Sequence, residues 1–141
     1  MIAMASAILF ITSCGDGSVM MPVSEVCRNP ERSRVRVRGY LRLPISQELV
    51  VREPVRAEEQ RLIIVEKSNG TGAFVSTTAL TTNSAEPNRI GSLPISYTYD
   101  DLHIFTDSGR QVSADEVVNV TGEVMKTEVR CVLKVTKIEA L

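Results

Sequence analysis

Tryptophan is absent from this 141-residue chain, histidine occurs once, and aromatic residues make up 4%. So little aromatic surface is poor material for a platform that stacks nucleobases. The single histidine, His103, and the lack of any Cys-x-x-Cys spacing argue against a metal site. No histidine cluster, activated serine or cysteine, or glycine-rich phosphate loop is visible. The nearest approach to an acid–base group is Asp100-Asp101-Leu102-His103, where strand alternation puts Asp101 and His103 on one face. Such a pair needs further groups in a pocket to do chemistry, and it reads as turn-forming acids beside a surface strand. The expectation is a non-enzymatic protein without a cofactor. Neither sign of charge dominates: 16 Lys and Arg stand against 17 Asp and Glu, a net charge of −1, so no global attraction to nucleic acid follows. No run is long enough to cross a bilayer as a helix, because the uncharged apolar stretch 1–13 falls short of the roughly 20 residues required.

That stretch has instead the length of the apolar region of a secretory signal. It ends in Ile11-Thr12-Ser13-Cys14, followed by Gly15-Asp16-Gly17-Ser18. A branched apolar residue, two small residues and a cysteine resemble a bacterial lipobox, in which the cysteine is lipidated and becomes the new N-terminus. The resemblance implies lipidation at Cys14, and several acyl chains together would anchor the protein firmly; an ordinary cleaved signal or a buried N-terminal strand, with Cys14 incidental, is the alternative. Residues 1–14 then form the signal and lipobox, 15–23 a tether ending near Pro22, and 24–141 one folded domain. Cys27 and Cys131 remain as the one possible intramolecular pair. An oxidising compartment permits that disulfide, and two buried free thiols are the alternative.

The domain is organised around Arg-Val-Arg-Val-Arg-Gly-Tyr-Leu-Arg-Leu at 34–43. Val35, Val37, Leu41 and Leu43 share one parity, and Arg34, Arg36, Arg38, Tyr40 and Arg42 share the other. Successive strand side chains point to opposite faces, so the pattern predicts a half-buried strand over 33–43 with one apolar and one charged face. Gly39 interrupts the apolar parity, as glycine does where a strand bends or bulges. Before it, 24–28 is a helical turn at most, capped by Ser24 and ended by Asn29-Pro30. After it come strands over 48–55, 61–67, 72–78, 102–106, 117–125 and 129–139, with a hairpin turn at Ser68-Asn69-Gly70-Thr71-Gly72. Pro87, Gly91 and Pro94 forbid a long helix in 81–99, where a long excursion with one helical turn near 88–93 is expected.

Three pieces in this order resemble an OB-fold: the glycine-kinked first strand, Asp115-Glu-Val-Val-Asn-Val-Thr-Gly122-Glu-Val, and the closing strand Cys131-Val-Leu-Lys-Val-Thr-Lys-Ile-Glu139. The resemblance spans about 24–141 and is greatest to bacterial OB-fold lipoproteins of unknown function, related to the tRNA-anticodon-type OB domain. It implies an all-β, five-stranded, OB-fold-like Greek-key barrel with a short N-terminal helical turn. Five short strands close when the long ones bend, here at Gly39 and Gly122. The helix usual between the third and fourth strands has no clear counterpart, so 81–99 would have to supply the barrel floor.

Two surfaces are candidate binding sites. The first is the stripe Arg34, Arg36, Arg38, Tyr40 and Arg42, with Arg28 and Arg32 just before it. Same-face neighbours stand about 7 Å apart, so bare like charges repel. Either cross-strand carboxylates pair them, with Glu48, Glu53 and Glu123 as candidates, or an anionic partner does. The second is the usual OB ligand face, formed by strands two and three and the loops 1–2 and 4–5, which would include Gln47, Arg52, Arg61 and Lys126. The expected function is a non-enzymatic, membrane-anchored envelope module that binds a protein or an anionic envelope component, facing the periplasm or the cell exterior. An oligonucleotide- or small-ligand-binding OB protein using the arginine face, and a structural envelope component, are the alternatives.

Overall fold

The computed structural model describes residues 17–44, 59–82, 87–93 and 99–141. In chain order its strands are β1 (Val19–Met21), β2 (Arg34–Arg42), β3 (Glu59–Gln60), β4 (Ile63–Val65), β5 (Phe74–Thr77), β6 (Leu80–Thr81), β7 (Arg89–Ile90), β8 (His103–Phe105), β9 (Gln111–Ser113), β10 (Val118–Lys126) and β11 (Cys131–Ala140). The described helical segments are two short 3-10 turns, Val23–Arg28 and Tyr99–Asp101.

Five strands close on themselves in the order β2-β4-β5-β11-β10 and back to β2. All neighbours are antiparallel except β5 and β11, which run parallel. This is the all-β, OB-like barrel expected. Closure depends on β2 using its two edges at different points along its length. Its Arg34–Gly39 stretch pairs β10, while Tyr40–Arg42 pairs β4 on the other edge. Gly39 sits at the changeover, where a Cβ would lie 2.7 Å from the Val65 carbonyl oxygen and 2.8 Å from the Ile64 side chain. Gly122 plays the same part in β10. Register with β11 shifts between Thr121 and Gly122, and a Cβ there would approach the Lys134 carbonyl oxygen to 2.5 Å. Both strands can therefore bend tightly over their neighbours only without a side chain at these points.

The apolar parities fill the barrel. Val35, Val37 and Leu41 of β2, Val118, Val120 and Val124 of β10, and Leu133 and Ile138 of β11 are buried in one cluster. Ile64 and Val75 join them from the β4–β5 hairpin, which turns through 68–72 as predicted, with the Asn69 side chain accepting from the Thr71 backbone N–H.

Four details differ from the sequence reading. The predicted helical turn over 88–93 is instead strand β7, paired antiparallel with β8. The missing helix is replaced by the small sheet β7-β8-β9, whose Ile90, Ile104 and Val112 are buried in the barrel's own cluster. Asn88 joins this sheet to the barrel. It adopts φ 59°, its side-chain oxygen accepts the Ile138 backbone N–H at 2.7 Å, and its amide donates to Asp107 at 3.0 Å. Next, Val19–Met21, inside the expected tether, forms β1 and pairs parallel with Val35–Val37. The first helical turn is present, but its N-cap is Pro22 rather than Ser24. Finally, Asp101 belongs to the second 3-10 turn and His103 to β8, so strand alternation does not relate them. The His103 ring bonds Gln111 at 2.9 Å. The predicted strand over 48–55, with Glu48 and Glu53, lies outside the described residues.

Cys27, exposed at the end of the first 3-10 turn, and Cys131, the first residue of β11, lie at disulfide distance with Cα atoms 6.0 Å apart. The turn packs Val23 and Val26 into the core, so its own burial brings the two cysteines together.

Candidate functional site

The registers of four neighbouring strands turn the arginine stripe into a grid on the outer face of the barrel. Arg34 stands beside Glu123, and Glu123 beside Lys134. The next row runs Met20, Arg36, Thr121, Lys137, and the third runs Arg38, Asn119, Glu139. Columns are about 4.8 Å apart and rows about 7 Å. The grid thus carries five cations, Arg34, Arg36, Arg38, Lys134 and Lys137, against two carboxylates, Glu123 and Glu139. Glu139 is engaged by Lys137 at 3.7 Å.

The cross-strand ion pairs considered for the stripe do not form among the described residues. Glu123 is opposite Arg34 in register, yet none of Arg34, Arg36 and Arg38 has a carboxylate of the described residues within salt-bridge distance, and Glu48 and Glu53 lie outside those residues. Three polar atoms within the grid are also buried without a hydrogen-bond partner: Arg36 Nε, Thr121 Oγ1 and Asn119 Oδ1. Leaving a buried donor or acceptor unmade costs about 1–3 kcal/mol. Arginine forks suit phosphate and carboxylate oxygens, to which they can donate in pairs.

Beside the third row lies an open groove of about 550 Å³. Met21 and Pro22 form an apolar wall, Tyr40 an aromatic one, and Arg38, Asn119 and Glu66 supply polar groups. It continues the grid towards the β4–β5 turn.

The residues expected to act together divide here. Arg34, Arg36 and Arg38 share the grid, with Tyr40 next along the strand. Arg42 shares their parity but is only 6% exposed. Its guanidinium donates to the backbone carbonyls of Leu41 and Ala114, and to that of Ser68 at 2.8 Å. Its cationic carbon also lies 5.2 Å from the Tyr40 ring centre. Arg42 therefore ties the end of β2 to the β4–β5 turn and to the approach to β10. Arg61 precedes β4, beyond the Arg42 end of β2, and is half-buried. Gln47 and Arg52 lie outside the described residues, as does Cys14. Lys126 pairs in register with Cys131 at the far end of the β10–β11 hairpin. Among the described residues the cations thus gather on β2 and β11, to either side of β10, rather than on β4 and β5, the second and third barrel strands.

Sequence reasoning missed Thr121, Asn119, Lys134 and Lys137 as neighbours of the stripe. Their alternation was visible, but the pairing of β10 with β2, and the register shift at Thr121/Gly122 that aligns Lys134 and Lys137 with β10, have no local signature. No group of three or more His, Cys, Asp or Glu able to hold a metal occurs among the described residues. No protein-family model matches the chain, and no curated protein or solved structure matches it either.

Proposed function

We propose that this protein is a non-enzymatic binding module of the bacterial envelope, anchored through lipid on Cys14, whose barrel recognises an anionic component through its arginine grid. The observation that carries the reading is the set Arg34, Arg36 and Arg38, held in register on one face with no carboxylate partner among the described residues. Like charges at such spacing repel unless something neutral or negative offsets them. A fixed barrel face cannot relax by moving them apart, whereas an anionic ligand turns the repulsion into binding. The lipobox motif, and a cysteine pair at disulfide distance in keeping with an oxidising compartment, support an address outside the cytoplasm.

Recovery of partners from envelope extracts tests this. The wild-type chain is compared with a variant carrying Arg34→Glu, Arg36→Glu and Arg38→Glu. The wild type is expected to hold its partner at low salt and release it as salt rises, the behaviour of phosphate-rich ligands. The variant is expected to recover none. The same partners on both chains would discard the grid as the site. Mass spectrometry of the mature N-terminus tests the anchor separately: an acylated Cys14 is expected, and an unmodified one removes it.

A further inference from the structure

We propose that the anionic component is the bilayer itself: the arginine grid is the face on which the barrel lies against phosphate head groups of the membrane that anchors it. This rests on the anchored reading above and names the ligand of that same face. Covalent geometry supplies the first step. Five residue steps separate Cys14 from Val19, and an extended chain spans at most about 3.6 Å per residue. A lipid on Cys14 therefore keeps β1 within roughly 18 Å of the membrane surface.

β1 is also the outer column of the grid. It pairs parallel with β2, and Met20 stands beside Arg36. The surface that the short tether holds nearest the bilayer is thus the cationic one. Met20, which shares the face of Arg36, is 49% exposed, and Val19, of the opposite parity, is 58% exposed along the same sheet edge. Basic residues flanked by exposed apolar side chains match an anionic lipid interface, where head groups attract the cations and the apolar groups enter the acyl boundary. The guanidiniums of Arg34 and Arg38 are exposed and can fork onto phosphate oxygens. The grid's carboxylates do not cancel the cations, since five positive groups face two negative ones. An acidic protein could satisfy the same charges, but the tether's reach would not then matter. A membrane occupant accounts for the charge, the apolar edge and the reach together.

The test uses the full chain with Cys14→Ser, so that acyl chains do not dominate binding. Partitioning is measured on phosphatidylcholine vesicles and on vesicles that also contain phosphatidylglycerol. The apolar N-terminal run contributes to both, so their ratio reports charge. Each basic residue at an anionic surface strengthens binding about fivefold. Adding Arg34→Gln, Arg36→Gln and Arg38→Gln is expected to cut the preference for anionic vesicles on the order of 100-fold. A charge-matched control with Arg28→Gln, Lys67→Gln and Arg110→Gln, all exposed positions outside the grid, is expected to retain most of it. Urea midpoints of both variants verify that they fold. Absence of an anionic preference without the grid substitutions, or an equal loss in the control, overturns the proposal. Either failure would leave an acylated Cys14 and a salt-sensitive partner from extracts standing, so it is distinguishable from failure of the anchored reading.

Discussion

Cutting the link between Cys27 and Cys131 should cost a third or more of the protein's margin of stability. The two residues are 104 apart in sequence and join the first 3-10 turn to the start of β11. In the chain-entropy account, a cross-link closing a loop of this length contributes about 4–5 kcal/mol by restricting the unfolded chain. Domains of this size are stable by only about 5–15 kcal/mol in total. The perturbation is the full chain carrying Cys27→Ser and Cys131→Ser, followed by equilibrium urea unfolding with far-UV circular dichroism. With a denaturant slope of about 1–3 kcal/mol/M, the midpoint should fall by about 1–5 M. The native spectrum should not change, because barrel closure between Tyr40–Arg42 and Ile63–Val65 involves neither cysteine. The slope should rise, since an unlinked unfolded chain exposes more surface. An unchanged midpoint would refute the reasoning, as would labelling of Cys27 or Cys131 by a thiol reagent in the denatured, unreduced wild type.

Further outcomes concern the devices that shape the barrel. Gly122→Val places a branched side chain against the Lys134 carbonyl and Leu133; it should destabilise by about 1–3 kcal/mol or more, read as a lower thermal midpoint. Asn88→Ala removes the acceptor for the Ile138 N–H and puts a less tolerant residue at positive φ. It should cost about 2–3 kcal/mol, and amide exchange in β7–β9 should rise more than in β2. Arg42→Gln loses the buried guanidinium's contacts to the Ala114 and Ser68 carbonyls and should cost about 2–3 kcal/mol. Arg38→Gln, at an exposed grid position, should change stability by less than about 0.5 kcal/mol in the same urea series.

Much of the barrel was legible because its long strands are amphipathic and buried on one side. The valine–arginine alternation of β2 and the valine parity of β10 identify both faces without any partner being known, and the two interrupting glycines mark the bends. The parts that were not legible depend on distant neighbours. β7 is two residues long, and its strand conformation comes from pairing with β8 and from the Asn88 bond to β11, neither of which has a local signature. β1 is three residues without alternation, and it exists because the edge of β2 at Val35–Val37 is available beyond the reach of β4. The candidate site divides in the same way. Periodicity put Arg42 on the charged face but could not show that Ala114 and Ser68 converge on that end of the strand. Nor could it supply the column contributed by β10, through its ladder with β2, or that of β11, whose register a bulge shifts.

Arginine footprinting of the protein in its own envelope membranes reports whether the grid faces the bilayer. Intact membranes are treated with an arginine-selective dicarbonyl reagent, and modification at each site is read by mass spectrometry against detergent-solubilised protein. The grid residues Arg34, Arg36 and Arg38 are predicted to be protected in the membrane and to become reactive on solubilisation, while exposed Arg28 and Arg110 react equally in both. Equal reactivity of all five in intact membranes would contradict the account.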